Sequence, residues 1–356
     1  MKERGVLMSL FDFLQQIVRT PMLFVSTILA LGVILVNGWT DAPNAIATCV
    51  STRAITVRRA IIMAAVFNFL GVFVMTSINA SVAMTIYNIV DFGGDTQKAL
   101  VALCAAMAAI VMWATLAWYF GIPTSESHAL IAGLSGAAIA IQNDYSGING
   151  TEWIKVLWGL VLSTVLGFVM GFICAKLTAF IFSGYDRIAG ERILSNAQVA
   201  GGAAMAFMHG AQDGQKFMAV ILLGVALANG QTDATTFVVP VWLMVVCSVF
   251  MALGTSIGGY RIIKSVGMDM VKLRLYQGFS ADLAASMCLL LSSLTGIPVS
   301  TTHTKTTAIM GVGASRSLRN INWNIVKDLI FAWICTFPGC GLLGFLMAKL
   351  FLALFA

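Results

Sequence analysis

The chain is 356 residues long, 59% hydrophobic and only 10% charged, whereas soluble globular chains carry about 25% charged residues. That composition excludes a water-soluble domain, and continuous apolar runs at 99–120 and 237–253 exclude an outer-membrane barrel, whose strands alternate apolar and polar residues. The formal charge of +6 is scattered through short loops rather than gathered into a stripe, which argues against a nucleic-acid partner.

A membrane span needs about 20 apolar residues, and the chain reads as an all-α polytopic membrane protein. The segment before the first span carries Lys2 and Arg4 but no small-residue cleavage site, so no removable signal peptide is expected. Spans follow at 22–50 (interrupted), 60–87, 99–120, 124–142 and 151–182. A polar connector at 183–197 leads to 198–229 (interrupted), 235–257, 278–296, 299–315 and 323–355. The expected organisation is a first membrane repeat at 1–182, a cytoplasmic connector at 183–197 and a second repeat at 198–356. The seven cysteines form no Cys-x-x-Cys pair and lie mostly in apolar runs, as packing residues do.

Threading these spans alternately gathers Arg53, Arg58, Arg59, Arg187, Arg192, Arg261, Lys264, Lys272, Arg274, Arg316 and Arg319 on one side, which the positive-inside rule makes cytoplasmic. The other side collects Asp91, Asp95, Asp144, Glu152 and Asp233. About five crossings per half is an odd number, so two homologous halves insert with opposite topology. Repeated motifs support this. Gly121-Ile-Pro-Thr-Ser-Glu-Ser-His128 recurs as Gly296-Ile-Pro-Val-Ser-Thr-Thr-His303, with five of eight positions identical. Asn37-Gly-Trp-Thr-Asp41 has a looser partner in His209-Gly-Ala-Gln-Asp213 at nearly the same offset, and Trp153 and Trp323 open the last span of each half.

Proline before a hydroxyl cluster marks a helix beginning. Inside a bilayer each uncapped N–H of that beginning costs several kcal/mol. Thr124, Ser125 and Ser127 serve one such start, Ser300, Thr301 and Thr302 the other. Two starts entering from opposite faces aim their N–H groups at one place near mid-membrane, an anion site. The plainer reading is that the hydroxyls only cap helices and let them pack. His128 and His303 are read as supporting groups or as buried histidines bonded to backbone carbonyls; all three histidines, His209 included, fall in the repeated motifs.

Asp41, Asp213, Glu126, Lys216, Asp282 and Lys305 interrupt apolar stretches, a burden on the order of 15–20 kcal/mol before pairing. Asp213 and Lys216 are spaced for an intrahelical ion pair. Asp41 has no cation within a helical turn, so Asp41 with Thr40, Asn44 and unwound carbonyls suits a small cation or a proton. Gly38, Gly210 and Gly214, with Pro43, are expected to break the helices there. Glu126 is a candidate proton carrier, and Asp282 a further cation ligand or a partner of a helix end or of Arg274. A cation or proton on the aspartates lowers the cost of admitting the anion, and the reverse holds by linkage; that coupling is symport.

At these motifs the chain resembles the inorganic phosphate transporter (PiT) family of bacterial permeases and eukaryotic sodium–phosphate symporters. Asn37-Gly-Trp-Thr-Asp41-Ala-Pro-Asn44 and His209-Gly-Ala-Gln-Asp213 are similar to its paired Gly-Ala-Asn-Asp signatures, and the two Gly-Ile-Pro segments to its Pro-x-Ser-Thr-Thr-His elements. The resemblance implies inverted repeats with half-helices meeting at mid-membrane, phosphate as substrate, homodimers, membrane lipid as surroundings and alternating access in a bacterial cytoplasmic membrane. By position it assigns Asp41, Asn44 and Asp213 to the coupling cation, and Thr124, Ser125, Ser127, Ser300, Thr301 and Thr302 to phosphate; Gln212 and Lys216 of the second motif join the phosphate set. Thr40 and Gln212 stand where sodium-coupled members have Asn, and Lys216 where their second copy has Asn. These departures favour a proton over sodium, with phosphate or a metal–phosphate complex as cargo. No resident cofactor or metal is expected. A sulfate permease is the alternative within transporters; a membrane hydrolase using Ser125 with His128, and a channel, are the alternatives outside them.

Overall fold

The computed structural model describes residues 8–120, 124–230, 238–257, 263–264 and 270–356. The first Gly-Ile-Pro, together with Lys2, Arg4, Asp233 and Arg261, lies outside the described residues. Those described fold into helices joined by short turns, with two isolated β-bridges, Val90 to Ile148 and Val271 to Ile321. A short helix α1 (Leu10–Arg19), opened by a Ser9/Asp12 capping box, precedes the first span. It rests Phe13 on Trp242, 4.6 Å between ring centres, and leaves Phe11, Leu14 and Val18 exposed.

The first half continues with α2 (Pro21–Thr40), α3 (Pro43–Ser51), α4 (Val57–Ile78), α5 (Ser81–Tyr87), α6 (Thr96–Tyr119), α7 (Glu126–Gln142), α8 (Gly150–Val161) and α9 (Gly167–Ile181). A π-helical turn, Leu162–Leu166, joins the last two. The expected span at 60–87 is therefore two helices. Asp95 caps α6, and hydrogen bonds from Lys98 hold its carboxyl below the usual range. The second half is α10 (Arg187–Ala228), α11 (Val241–Ile257), α12 (Leu275–Leu294), α13 (Thr301–Ala314) and α14 (Trp323–Phe355). Five stretches are long and apolar enough to cross a membrane: Pro21–Ser51, Val57–Ile78, Thr96–Tyr119, Gly150–Gly184 and Trp323–Phe355. Large apolar side chains such as Ile28, Leu116, Phe180 and Leu346 face outward along them, which only lipid accommodates.

One sequence expectation fails on α10. The connector at 183–197 is helical from Arg187 onward, and the span expected to break at 198–229 continues without interruption for 42 residues. At 1.5 Å per residue this helix is roughly 60 Å long, twice the thickness of a hydrocarbon core. Gly210 and Gly214 are packing residues instead of breaks: a Cβ on Gly210 would lie 2.3 Å from the Asn68 carbonyl oxygen, and one on Gly214 2.5 Å from Val72. A Cβ on Gly38, inside α2, would likewise lie 2.6 Å from the Met251 carbonyl oxygen and 2.8 Å from the Gly254 Cα. Small residues at these seams let backbones approach where lipid supplies no hydrophobic drive. The one break that forms, between α2 and α3, sits at Asp41–Ala42, where Pro43 begins the next helix and has no N–H to continue the ladder.

The halves interleave rather than standing apart. α7 runs beside α14 in the same direction, with Cys340 Sγ 3.2 Å from the Ala129 oxygen and Lys349 Nζ donating to Asn143 Oδ1 at 2.5 Å. α13 runs beside α9, with Thr307 donating to the Ser163 carbonyl at 2.8 Å and Gly171 against Ala308. Because α8 turns back from the end of α7, the two short helices run in opposite directions from a common level. That disposition is compatible with an inverted repeat. Each short helix is seated on the last span of the other half.

Where α7 meets α14, a Cβ on Gly136 would lie 2.0 Å from the Gly341 carbonyl oxygen, while nothing lies within 4 Å of one on Gly32. Gly136→Val is expected to destabilise the fold by at least about 1–3 kcal/mol and Gly32→Ala to leave it unchanged, read as the detergent melting temperature of each purified variant.

Candidate functional site

Both short helices start in the same way. Ser125 caps α7, accepting the His128 backbone N–H at 3.2 Å, and Ser300 caps α13, accepting that of His303 at 3.1 Å. The third residues then touch: the His128 and His303 rings meet edge to face at 4.6 Å. Ser125 and Ser300 thus use their hydroxyls on their own helices, and the hydroxyls that face the space between the tips are Ser127, Thr301 and Thr302.

That space holds the carboxylates of the other motif pair. Asp41, at the α2–α3 break, accepts from Asn44 Nδ2 at 2.8 Å and from the Thr302 hydroxyl. Asp213, on α10, accepts from Lys216 Nζ at 2.7 Å and from Asn37 Nδ2 at 3.2 Å. Thr301 Oγ1 lies between the two acids, 3.4 Å from Asp41 and 3.3 Å from Asp213. One hydroxyl has one proton, so it cannot satisfy both oxygens at once. Lys216 uses all three of its donors, on Asp213, on Ser127 Oγ at 2.6 Å and on the Val299 carbonyl at 2.6 Å. Both helix tips therefore bind one buried ammonium. Glu126, in the first turn of α7, contacts the Thr40 hydroxyl, and its Oε2 has no hydrogen-bond partner among the described residues. Asp41, Glu126, Asp213 and Lys216 are all at most 2% exposed. Asn44 also reaches Thr302, at 3.0 Å, tying α3 to the tip of α13.

His209 adds a proton problem. Asn68 donates to Thr255 Oγ1 at 2.9 Å, which turns its carbonyl oxygen toward His209 Nδ1 at 3.1 Å and makes that nitrogen the protonated one. Nε2 then faces Asp213 Oδ2 at 3.3 Å, a contact that attracts only with a further proton between them. Asp41, His209 and Asp213 offer ligand atoms within 4.8 Å of one another.

Several expected site residues lie elsewhere. Thr124 lines an apolar groove with Trp113, Phe120 and Phe331, and Gln212 turns to α12, donating to Ser293 Oγ at 3.0 Å. The ring nitrogens of His128 and His303 make no hydrogen bond among the described residues; the rings pack on Phe337 and Trp333 of α14 instead of binding backbone carbonyls. Ser125 accepts a backbone N–H and makes no hydrogen bond to the His128 ring nitrogens, so the pair a hydrolase would need does not form. Asp282 is in a second cluster, paired with Lys305 rather than with Arg274, and hydrogen-bonded to Thr48 at 2.8 Å and Gln198 at 2.5 Å. Sequence reasoning missed Asn37, Asn68, Thr48, Gln198 and the Val299 carbonyl. For the side chains the available signal was a polar residue in an apolar run; the carbonyl left none.

Removing one partner of a buried ion pair leaves the other uncompensated. Lys216→Gln is expected to destabilise by about 3–5 kcal/mol, with much of the loss recovered when Asp213→Asn is added; equilibrium unfolding of the single and double variants in mixed micelles measures both.

The sequence model of the phosphate transporter family matches residues 37–190 and 182–344. The chain is 38% identical to a probable low-affinity inorganic phosphate transporter of Bacillus subtilis, over 89% of this chain and 93% of that protein. It is 34% identical to one from Rhizobium meliloti, over 91% and 95% respectively. Among solved structures, a sodium-dependent phosphate transporter superposes with a TM-score of 0.85 at 22% identity, covering 95% of this chain and 100% of that one.

Proposed function

Because the chain belongs to the phosphate transporter family, we propose that it imports inorganic phosphate across a bacterial cytoplasmic membrane by symport, with protons as the coupling ion and alternating access as the mode of transport. One observation carries this reading: Ser127 and Thr301, one from each helix tip, contact the same Asp213, and Lys216 holds the two tips together. Phosphate arriving there finds an ammonium, hydroxyl donors and two converging helix N-termini. It also finds three carboxyl groups against one ammonium, and an anion enters such a site only after positive charge has been added.

The arrangement supports a proton as that charge. Lys216 already fills the oxygen cage of Ser127, Asp213 and Val299, where a sodium ion would otherwise find its ligands. Asp41 and Glu126 have no cationic side chain within salt-bridge distance among the described residues, and the His209 to Asp213 contact calls for a proton. Phosphate also keeps a proton at neutral pH and donates it to Asp41 or Glu126, which sulfate cannot do. Asp41, His209 and Asp213 together suit a divalent ion travelling with phosphate, so a metal–phosphate complex suits the same site as cargo. The basic side is taken as cytoplasmic by the positive-inside rule.

Labelled-phosphate uptake into proteoliposomes, with pH and sodium gradients imposed separately, tests the reading. A pH gradient alone should drive accumulation, equimolar sulfate should compete weakly, and uptake that needs sodium would assign the coupling ion otherwise. Asp41→Asn should abolish accumulation while the protein remains folded. Ser127→Ala with Thr301→Ala should raise the half-saturating phosphate concentration about tenfold, the equivalent of one strong hydrogen bond; an unchanged constant removes those hydroxyls from the site.

A further inference from the structure

One helical turn beyond the central acids lies a buried charged cluster that the transport reading leaves unused. Thr48 follows Asn44 by one turn on α3, and Lys305 follows Thr301 by one turn on α13, so both helices carry polar groups away from the centre in the same direction. Lys305 pairs with Asp282 and lies 3.1 Å from Thr48 Oγ1. Asp282 also accepts from Thr48 at 2.8 Å and from Gln198 Nε2 at 2.5 Å. All four residues are fully buried. The two partners are held unequally. Without the ammonium, Asp282 keeps the neutral donors Thr48 and Gln198, with the Cys49 thiol at 3.9 Å; without the carboxylate, Lys305 keeps one hydroxyl among the described residues. A buried ammonium left that bare is costly, so Lys305 parts from Asp282 only when another anion replaces it.

The polar line continues outward. Gln198 and Thr52 press on Gly278, where a Cβ would meet Gln198 Oε1 at 2.3 Å and Thr52 Cγ2 at 2.9 Å. Beside Gly278, Gln277 lines a cavity of about 650 Å³ together with Lys272, Arg274, Arg316 and Arg319, and no carboxylate is among its described lining residues. A cavity of about 380 Å³ associated with the bridge Val90 to Ile148 is lined by Asp91 and by Glu152, which pairs with Lys155 at 2.8 Å, and no cationic side chain is among its described lining residues. On α10 between the centre and that cavity stand Phe217, Val220 and Leu223, which belong to the apolar core. Polar side chains lead out of the centre toward the basic cavity.

We infer that Lys305 is an oxyanion-binding station between the central site and the basic cavity, and that its pairing with Asp282 closes this route when no anion is passing. The inference rests on the phosphate-transport reading. Phosphate leaving Ser127 and Thr301 takes the place of Asp282 at the ammonium, Asp282 stays on Thr48 and Gln198, and the anion goes on to the arginines. Lys305 is thus never without an anion, and Asp282, while displaced, keeps its hydrogen bonds to Thr48 and Gln198 in place of the ammonium.

The test compares half-saturating phosphate at the two faces, using right-side-out and inside-out proteoliposomes. Lys305→Gln should raise the constant at the basic face about tenfold or more while leaving the opposite face within about twofold. Asp282→Asn, which frees the ammonium, should lower the constant at the basic face and slow phosphate release there. A purely structural pair would move both variants in the same direction, or both faces equally, and either result overturns the inference. Should Lys305→Gln not fold, Lys305→Arg decides: the charge is kept, so the basic-face constant should stay within about threefold of wild type, and a folded variant with a loss of about tenfold defeats the station. Absence of phosphate transport by the wild-type chain strikes the underlying reading instead, because the station concerns only the difference between faces.

Discussion

Two helices that begin in the interior of a membrane leave N–H groups with nothing but protein to bind, and the rest of this molecule is arranged around that constraint. Ser125 and Ser300 answer it locally, each covering one donor of its own helix. The remaining positive character of the two tips is aimed at one small volume, and Asp41 and Asp213 occupy it. Lys216 then locks the geometry, because its ammonium binds a hydroxyl of the first tip and a carbonyl just ahead of the second. Neither tip would be stable in lipid alone, and neither acid would be stable without the tips. The site is a product of this mutual dependence, and each of its polar contacts satisfies a group that the bilayer would otherwise penalise.

The two buried charge clusters differ in a way that separates their roles. At the centre, Asp41, Asp213 and Glu126 face a single ammonium, so the ionised cluster carries excess negative charge. In the outer cluster Asp282 and Lys305 are matched one to one. An unbalanced cluster responds to added protons or cations, whereas a balanced one responds to a competing ion that can replace a member. Under the proposed function, the same chemistry, a carboxylate and a lysine among hydroxyls, serves as a loading site in one place and an exchange site a helical turn away.

Much of this was legible in the sequence because bilayers leave so few options. Apolar runs gave the spans, and the repeated Gly-Ile-Pro segments correctly announced helix starts. The Asp213–Lys216 pair followed from its spacing. What could not be read was side-chain direction. Thr124 and Gln212 stand in the motifs yet point away, since one residue of offset on a helix turns a side chain by about 100°. Gly210 and Gly214 read as breaks because a glycine's freedom is visible in sequence, while the neighbouring atoms that exclude a side chain are not. Gln198 and Asn68 show in the sequence only as polar residues in apolar surroundings, and tertiary contact alone gives them partners.

The exchange of seats between the halves bears on the order in which the protein is made. α7 carries Glu126 and Ser127 into the membrane early in translation, but the surface it packs on belongs to α14, residues 323–355. Until the ribosome delivers that helix, the first tip has only earlier helices beside it, α6 against Gly133 and Thr40 of α2 against Glu126, and its acid has no finished housing. The binding centre therefore assembles late, and a nascent chain halted before α14 would hold its charged residues in an unfinished bundle, a natural substrate for membrane quality control.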